Sequence, residues 1–324
     1  MSSSDGLIYG FVLDGEGGGK QVGWDQVGEW TPADGSLWLH LDYKDAHALD
    51  WLNSSSTLDE VTIQSLISEE TRPRAVSYGE RLLVILRGVN CNPGADPEDM
   101  VALRMLFERH RIITMRHRKV MAVQDVVEEI QAGHGPRDSG DFLAMVCDRI
   151  ADRMGDVIGE LDDAADELED AVLEAQSYEL RPRLATLRRQ AIAMRRFIAP
   201  QRDVLARLQN EQSPILDEMH RLRLREDAER TARFVEDMDA ARDRAAVTQE
   251  ELNNRLSEQM SRTMYVLSIV AAIFLPLGLL TGLLGINVGG IPGTESRWAF
   301  TVVSLLLVLL ALLLLGVFKR MKWF

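Results

Sequence analysis

An asparagine that follows a glycine and an isoleucine stands near the end of a long uncharged stretch of this 324-residue chain. Gly285, Ile286 and Asn287 lie in a segment with no charged residue between Arg262 and Glu295. The amide of Asn287 offers a carbonyl acceptor and an NH2 donor, so a ring of such amides can bind the water around a hydrated cation. Gly285 allows the backbone to leave a helix at this point. The alternative is that the three residues form only the helix cap and turn that any hairpin needs.

Two apolar segments must position this motif. Each holds about 20 apolar residues, the length that crosses roughly 30 Å of hydrocarbon. We therefore predict transmembrane helices at 263–284 and 298–318, an outer loop at 285–297 and a basic tail at 319–324. Neither span contains Asp, Glu, Lys, Arg or His, so a bare divalent ion would find nothing to replace its hydration shell. An ion that passes must stay largely hydrated, in a pore enclosed by several copies of the chain.

Basic residues flank the two spans on the same side: Arg255, Arg262, Lys319, Arg320 and Lys322. Because positive residues remain on the cytoplasmic side, we predict that both termini are cytoplasmic and that the glycine-rich loop faces outward. Glu295 and Arg297 are the only charges of that loop, which places Glu295 at the outer mouth. The first ten residues lack a basic residue followed by an apolar run, so they do not predict a secretory signal.

The first part of the chain, 1–135, is predicted to be a cytoplasmic α/β domain. Short β-rich runs are bounded by Gly, Asp and Pro and predict a mostly antiparallel sheet: 7–13, 37–41, 74–78, 81–89, 101–109 and 112–116. Residues 58–68 have helical spacing. The formal net charge of −14 argues against nucleic acid as a partner and is compatible with cations nearby. Cys91 and Cys147 do not predict a disulfide framework.

Residues 136–216 predict a helical hairpin with one acidic arm, 148–179, and one basic arm from Arg181 to Arg196. Opposite charges on neighbouring helices favour pairing of the two arms; a metal site on the acidic arm is the alternative. The next segment, 217–262, predicts a stalk helix that continues to Leu284, roughly 100 Å long at about 1.5 Å per residue.

Small or apolar residues recur along the stalk at close to a 3.5-residue spacing: Leu224, Ala228, Thr231, Val235, Met238, Ala245, Leu252, Leu256 and Thr263. Arg242, Gln249 and Gln259 occupy the remaining positions of this seam. A long helix of such mixed polarity needs neighbours to be stable, either its own domain or further copies of the chain.

No phosphate-binding loop, nucleophile elbow or zinc-protease motif occurs, so the sequence does not predict an enzyme. The six histidines form no His-x-x-x-His pair and no Cys/His cluster. Zinc favours histidine more than magnesium does, which leaves a cytoplasmic zinc site open, with His220 and Asp217 as candidate ligands. We expect no permanently bound cofactor.

The segment Thr281–Gly293, together with Phe274-Leu-Pro-Leu277, the C-terminal hairpin and the long stalk, resembles the CorA superfamily of divalent-metal channels and transporters. Within that superfamily, Gly285-Ile-Asn287 looks most like the ZntB zinc-transport branch, where it stands in place of the Gly-Met-Asn of the magnesium channels. The stretches 71–74 and 87–90 are similar to the sheet region of the ZntB-type cytoplasmic domain.

The resemblance implies a CorA-like fold: an α+β cytoplasmic domain, a long helical stalk and two C-terminal transmembrane helices, assembled as a funnel-shaped homopentamer in the bacterial inner membrane. It implies zinc transport, coupled to protons in the ZntB branch, with Co²⁺, Mg²⁺, Ni²⁺ and Cd²⁺ as further candidate ions. The family's pore-facing positions fall on Met264, Leu267, Leu275 and Gly278. The first three would form apolar constrictions that can gate by dewetting.

Two alternatives stay open at this point. The first is a magnesium or cobalt channel of the same superfamily, because Asn287 alone does not separate these ions from zinc. The second is a membrane-anchored sensor with a signalling cytoplasmic domain, although no kinase or cyclase signature is present.

Overall fold

The computed structural model describes residues 5–69, 71–174, 178–285, 293 and 296–320. The chain divides into two units, Met1–Gln249 and Glu250–Phe324. Among the described residues, the first unit contains a β-sheet, seven α-helical segments and one short 3-10 helix, and the second contains the end of one long helix and one further helix.

A seven-stranded sheet forms the centre of the first unit. Its strands are β1 (Leu7–Leu13), β2 (Gly19–Gln21), β3 (Ser36–Asp42), β4 (Arg74–Tyr78), β5 (Arg81–Gly88), β6 (Val101–Phe107) and β7 (Arg111–Arg116). They lie in the order β2-β1-β3-β7-β6-β5-β4. Every neighbouring pair is antiparallel except β3 and β7, which are parallel with Leu37 opposite Arg111. The prediction of a mostly antiparallel sheet is confirmed.

Helices cover both faces of this sheet. They are α1 (Trp24–Glu29), α2 (Ala46–Ser54), α3 (Glu60–Ile67), α4 (Met121–Ala132), α5 (Ser139–Glu174) and α6 (Leu180–Leu208). The first part of α7 (Glu218–Leu284) forms ion pairs with α5 and α6. Leu52 of α2 and Leu66 of α3 pack into one core cluster with β3. In α5, the ring of Phe142 lies 4.8 Å from the ring of Trp38 and 6.2 Å from that of Phe107. Burial on two faces explains why β5 and β6 are almost continuous apolar runs.

The seam of α7 packs within its own chain along the first unit. Leu224, Thr231 and Met238 are almost completely inaccessible, as expected for a helix that needs neighbours. After Met238 the predicted seam is wrong at two positions, because Ala241 and Thr248 are buried where Arg242 and Gln249 were expected, whereas Ala245, Leu252 and Leu256 are buried as predicted. Arg242 stays partly exposed and pairs with Asp239 and Asp243.

The acidic arm on α5 forms its ion pairs differently from the prediction. Arg230 of α7 reaches Asp148 at 2.9 Å and Asp152 at 2.6 Å, and Arg244 of α7 pairs with both Asp162 and Asp166. The basic arm on α6 contributes Arg195, whose Nε lies 2.7 Å from Asp239 of α7. The charges of both arms therefore tie α5 and α6 to α7. For these four α5 carboxylates, the arginine partners replace the alternative of a metal site on the acidic arm.

The second unit contains the C-terminal part of α7 and α8 (Ala299–Arg320). Among the described residues, α7 and α8 are the helices long and apolar enough to cross a membrane. Their apolar side chains are mostly exposed, including Leu267, Leu275 and Phe300. Such exposure in an aqueous protein would be unfavourable by about 25 cal/mol for each Å² of apolar surface, so these helices need lipid or further protein around them.

Candidate metal path and metal-binding cluster

One face of α7 carries the four positions that the family resemblance marks as pore-facing. At about 100° per residue, Met264, Leu267, Leu275 and Gly278 fall within an arc of about 80°. All four are exposed in the single chain. Ala271 and Gly282 occupy the same arc and complete one turn-by-turn stripe, although the sequence analysis did not single them out. Helical spacing was the signal that could have found them.

The stripe changes character along the helix. Its first half presents the bulky side chains of Met264 and Leu267, followed by Leu275. Its second half presents Gly278 and Gly282, where an added Cβ would meet nothing within 4 Å. The polar hydroxyls nearby are already satisfied, because Ser268 Oγ donates to the Met264 carbonyl at 2.8 Å and Thr281 Oγ1 donates to the Leu277 carbonyl at 3.0 Å.

Helix α7 ends at Leu284, immediately before the Gly285-Ile286-Asn287 motif. The Gly285 N–H still donates to the Thr281 carbonyl at 2.9 Å. Ile286, Asn287 and Glu295 lie outside the described residues, so their predicted places at the pore and its outer mouth stay predictions.

The second predicted site, His220 with Asp217, lies at the start of α7. The His220 N–H donates to Asp217 Oδ1 at 2.8 Å, and its ring Nδ1 lies 3.1 Å from the same carboxylate. The other ring nitrogen, Nε2, lies 3.5 Å from Asp138 Oδ1 and 3.5 Å from Asp141 Oδ1. Asp138 and Asp141 come from the start of α5, and sequence reasoning missed both. Their ligand atoms and that of His220 all lie within 4.8 Å of one another.

The contacts within this cluster favour the charged forms of His220 and Asp141. The hydrogen bond to Asp141 raises the pKa of His220 above its ordinary value, and the charges of Asp138 and Asp217 add to this effect. The same contact lowers the pKa of Asp141, with help from the Arg137 N–H and the Arg223 guanidinium. The imidazolium of His220 is therefore the cation that these carboxylates stabilise, and a metal ion bound at Nε2 would take the place of its proton.

The imidazole of His220 rests directly on the backbone of α5. A Cβ at Gly140 would clash with ring atom Nδ1 of His220 and lie 2.6 Å from the Ile215 carbonyl oxygen. Glycine at position 140 is thus what allows the ring to approach the two aspartates.

A matched pair of glycine substitutions tests this packing. Gly140→Ala should destabilise the chain by about 1–3 kcal/mol, because the Ile215 carbonyl is backbone and cannot easily move. Gly159→Ala, in the same helix with nothing within 4 Å of the added Cβ, should stabilise it by about 0.5–1 kcal/mol. Thermal unfolding of the two purified variants should give shifts of opposite sign. A Gly140→Ala protein as stable as Gly159→Ala would contradict the described packing.

Two similar proteins of known class identify the class of this chain. The chain is 40% identical over 322 residues to a divalent cation transporter, CmaX, of Pseudomonas aeruginosa, covering 98% of this chain and 97% of that protein. It is 37% identical over 316 residues to the zinc transport protein ZntB of Yersinia pseudotuberculosis, covering 98% and 95%. The chain is thus a divalent cation transporter. The prediction that it is not an enzyme is confirmed by these relatives.

The family follows from a second comparison. The model of the CorA-like Mg2+ transporter protein family matches residues 33–320, and the chain belongs to this family. The full-length CmaX structure has a TM-score of 0.88 at 39% identity and covers 99% of both chains. The CorA magnesium transporter of Methanocaldococcus jannaschii, at 18% identity, has a TM-score of 0.82 and covers 98% and 99%, which shows the shared fold.

These findings confirm the predicted family and the CorA-like fold of the chain. Together with the two long apolar helices, family membership identifies a membrane protein. The relatives and the family match favour transport over the alternative of a membrane-anchored sensor.

Proposed function

We propose that this chain moves hydrated divalent metal ions, zinc first among them, through a pore enclosed by five copies in the bacterial inner membrane. The observation that carries the proposal is the stripe of α7 that runs from Met264 to Gly282 and leads to Asn287. Two apolar helices cannot enclose a pore alone, and the CorA-like fold supports a pentameric arrangement. In such a ring the stripe of every copy can face the axis.

The two halves of the stripe would have different roles along the pore. The glycines at 278 and 282 leave room for an ion with its water, and the amides of Asn287 would bind that water at the outer end. Met264, Leu267 and Leu275 would form apolar constrictions that open and close by wetting and dewetting. Neither span has Asp, Glu, Lys, Arg or His, so the ion keeps its hydration shell throughout the spans.

Zinc is favoured by the Gly-Ile-Asn motif and by the 37% identity to zinc transport proteins over nearly the whole chain. The second candidate is a magnesium or cobalt channel, favoured by the description of the family as Mg2+ transporters. Co²⁺, Ni²⁺ and Cd²⁺ are further candidate substrates. The basic residues beside both spans support cytoplasmic N- and C-termini and place Glu295 at the outer mouth.

Zinc uptake into vesicles tests the proposal and its coupling to protons. Vesicles with purified protein should take up zinc, and vesicles without protein should not. An imposed pH gradient at fixed membrane voltage should change the initial rate. Proton relays in membranes normally use ionisable side chains, so coupling must involve pore water, Glu295 or groups outside the spans.

The pH sensitivity should accordingly survive conservative substitutions within the spans, such as Leu267→Ile. Zinc uptake that is indifferent to the gradient would contradict coupling and favour a passive channel. If vesicles with assembled protein take up no more zinc than vesicles without protein, zinc transport itself is contradicted.

A further inference from the structure

We propose that Asp138, Asp141 and His220 form a zinc-binding site that is separate from the pore. The site joins the start of α5 to the start of α7 within the first unit. It depends on side chains outside both spans, so it does not rest on which ion crosses the membrane.

The spacing of the three groups is close to that of zinc ligands. His220 Nε2 lies 3.5 Å from each carboxylate oxygen, which is long for an N–H···O hydrogen bond. With zinc bonds of about 2.0–2.1 Å, neighbouring ligands of a tetrahedral ion are about 3.3 Å apart. The ring nitrogen therefore already sits close to the distance from both aspartates that zinc would impose, before any ion binds.

The site is built around a buried ligand. The side chain of His220 is only 7% exposed, and its ring is seated against Gly140, where a side chain would exclude it. Asp141 is 24% exposed and Asp138 is 55% exposed. One side of the site is thus closed by protein and the other is open, which leaves a position for a water ligand, as at zinc sites with three protein ligands.

Asp217 acts on the opposite ring nitrogen. Its Oδ1 lies 3.1 Å from His220 Nδ1. The Asp217 backbone N–H also donates to Nδ1, at 3.2 Å, the reciprocal hydrogen bond of a capping box, so Asp217 holds the ring through its backbone as well as through its carboxylate. A carboxylate that orients a metal-bound histidine in this way also raises its basicity. We therefore assign Asp217 as a positioning residue and not as a ligand.

Helix capping accounts for part of the cluster but not for all of it. Asp138 Oδ1 accepts from the Asp141 N–H at 2.8 Å, and Asp217 accepts from the His220 N–H; both residues cap helix N-termini. Capping does not require the His220 ring to lie between two carboxylates. The contact that competes with a metal is Arg223, whose Nη1 lies 2.9 Å from Asp141 Oδ1.

The donor set selects the kind of ion. One imidazole and two carboxylates suit zinc and similar transition ions, whereas magnesium prefers an all-oxygen octahedral shell. The site should bind zinc and should not retain magnesium.

Equilibrium dialysis of full-length protein in detergent against low free zinc, followed by metal analysis, tests the site. Wild-type protein should hold one zinc per chain more than Asp138→Asn, and this variant should lose at least about tenfold in affinity. Asn caps a helix as well as Asp does, so this loss cannot come from a lost cap. His220→Gln should show the same loss, and Asp203→Asn, an exposed aspartate of α6, should bind like wild type.

Arg223→Gln provides the opposite test. It frees Asp141 for the metal and should tighten zinc binding several-fold, while magnesium should bind to none of the proteins at this site. Zinc should also raise the Tm of wild type more than that of Asp138→Asn, because a ligand stabilises the state that binds it.

Zinc binding that is equal in wild type, Asp138→Asn and His220→Gln would overturn the proposal and leave the cluster as a structural ion pair. The outcome is separable from transport: binding without zinc flux would contradict the proposed function alone, and flux without this binding would contradict the site alone.

Discussion

Asn287→Ala is expected to lower zinc flux into vesicles by at least about tenfold, which corresponds to 1.4 kcal/mol or more in the barrier. In the proposed pore, the substitution removes the amide of every copy at once, so the water around the ion would lose all of these partners together. Alanine introduces no charge and no bulk that could block the pore. The expected effect is therefore on ion passage and not on assembly.

Asn254→Ala is the matched control, because Asn254 is an exposed residue of α7 that precedes the first predicted span. It should transport zinc at the wild-type rate. Mass measurement in detergent should give the same closed oligomer, five copies, for wild type and both variants. Zinc flux at the wild-type rate in Asn287→Ala would remove this residue from the pore.

Asp227 is expected to make the chain more stable in mild acid than in mild base. Its side chain is almost fully buried between α7 and α5, and its Oδ2 has no hydrogen-bond partner among the described residues. Burial, followed by the charge of Asp148, raises the pKa of Asp227 to about 7. Asp152 acts in the same direction, while Arg230 and Arg223 act against it.

The direction of the effect follows from linkage. The folded chain holds a proton on Asp227 that the unfolded chain releases near its ordinary pKa of about 3.9, so stability falls as the pH rises toward 7. Above pH 7 the ionised carboxylate costs on the order of 4 kcal/mol, at about 1.4 kcal/mol for each pKa unit.

Asp227→Asn should therefore unfold at a higher temperature than wild type at pH 8, and by a clearly smaller margin at pH 5, where about 1.5 kcal/mol of the penalty remains. Asp243→Asn removes an exposed carboxylate from the same helix and should show no such dependence. Thermal unfolding of the three proteins at both pH values checks this. Equal pH dependence in wild type and Asp227→Asn would show that the buried carboxylate is not the group that titrates.

The sheet shows which strands a local sequence pattern can predict. The runs that became β1 and β3 to β7 were predictable, because apolar, β-branched residues bounded by Gly, Asp and Pro fix a strand locally. The short β2 (Gly19–Gln21) was missed, because three residues with two polar side chains carry no such pattern. The parallel pairing of β3 with β7 joins Leu37 to Arg111, and no local pattern encodes a contact between residues so far apart.

The helices show a different limit. Charge predicted that the acidic and basic arms would pair with each other. The two helices do pack together, but Arg230 and Arg244 of α7 take the acidic side chains. Both arrangements satisfy the charges, and only the packing of three helices decides between them. His220 could be chosen as a candidate from sequence because zinc favours histidine. Asp138 could not, because it lies more than 80 residues away in sequence and approaches His220 only in the folded chain.

The central claim, a hydrated path that favours zinc, is tested most directly by the initial rates of zinc, cobalt and magnesium uptake into one batch of vesicles. The ions are compared at equal concentration, membrane voltage and pH. The account predicts that zinc enters fastest, and that its rate falls to that of protein-free vesicles when Asn287 is replaced by alanine. Magnesium uptake that exceeds zinc uptake and is unaffected by Asn287→Ala would contradict both the ion and the path.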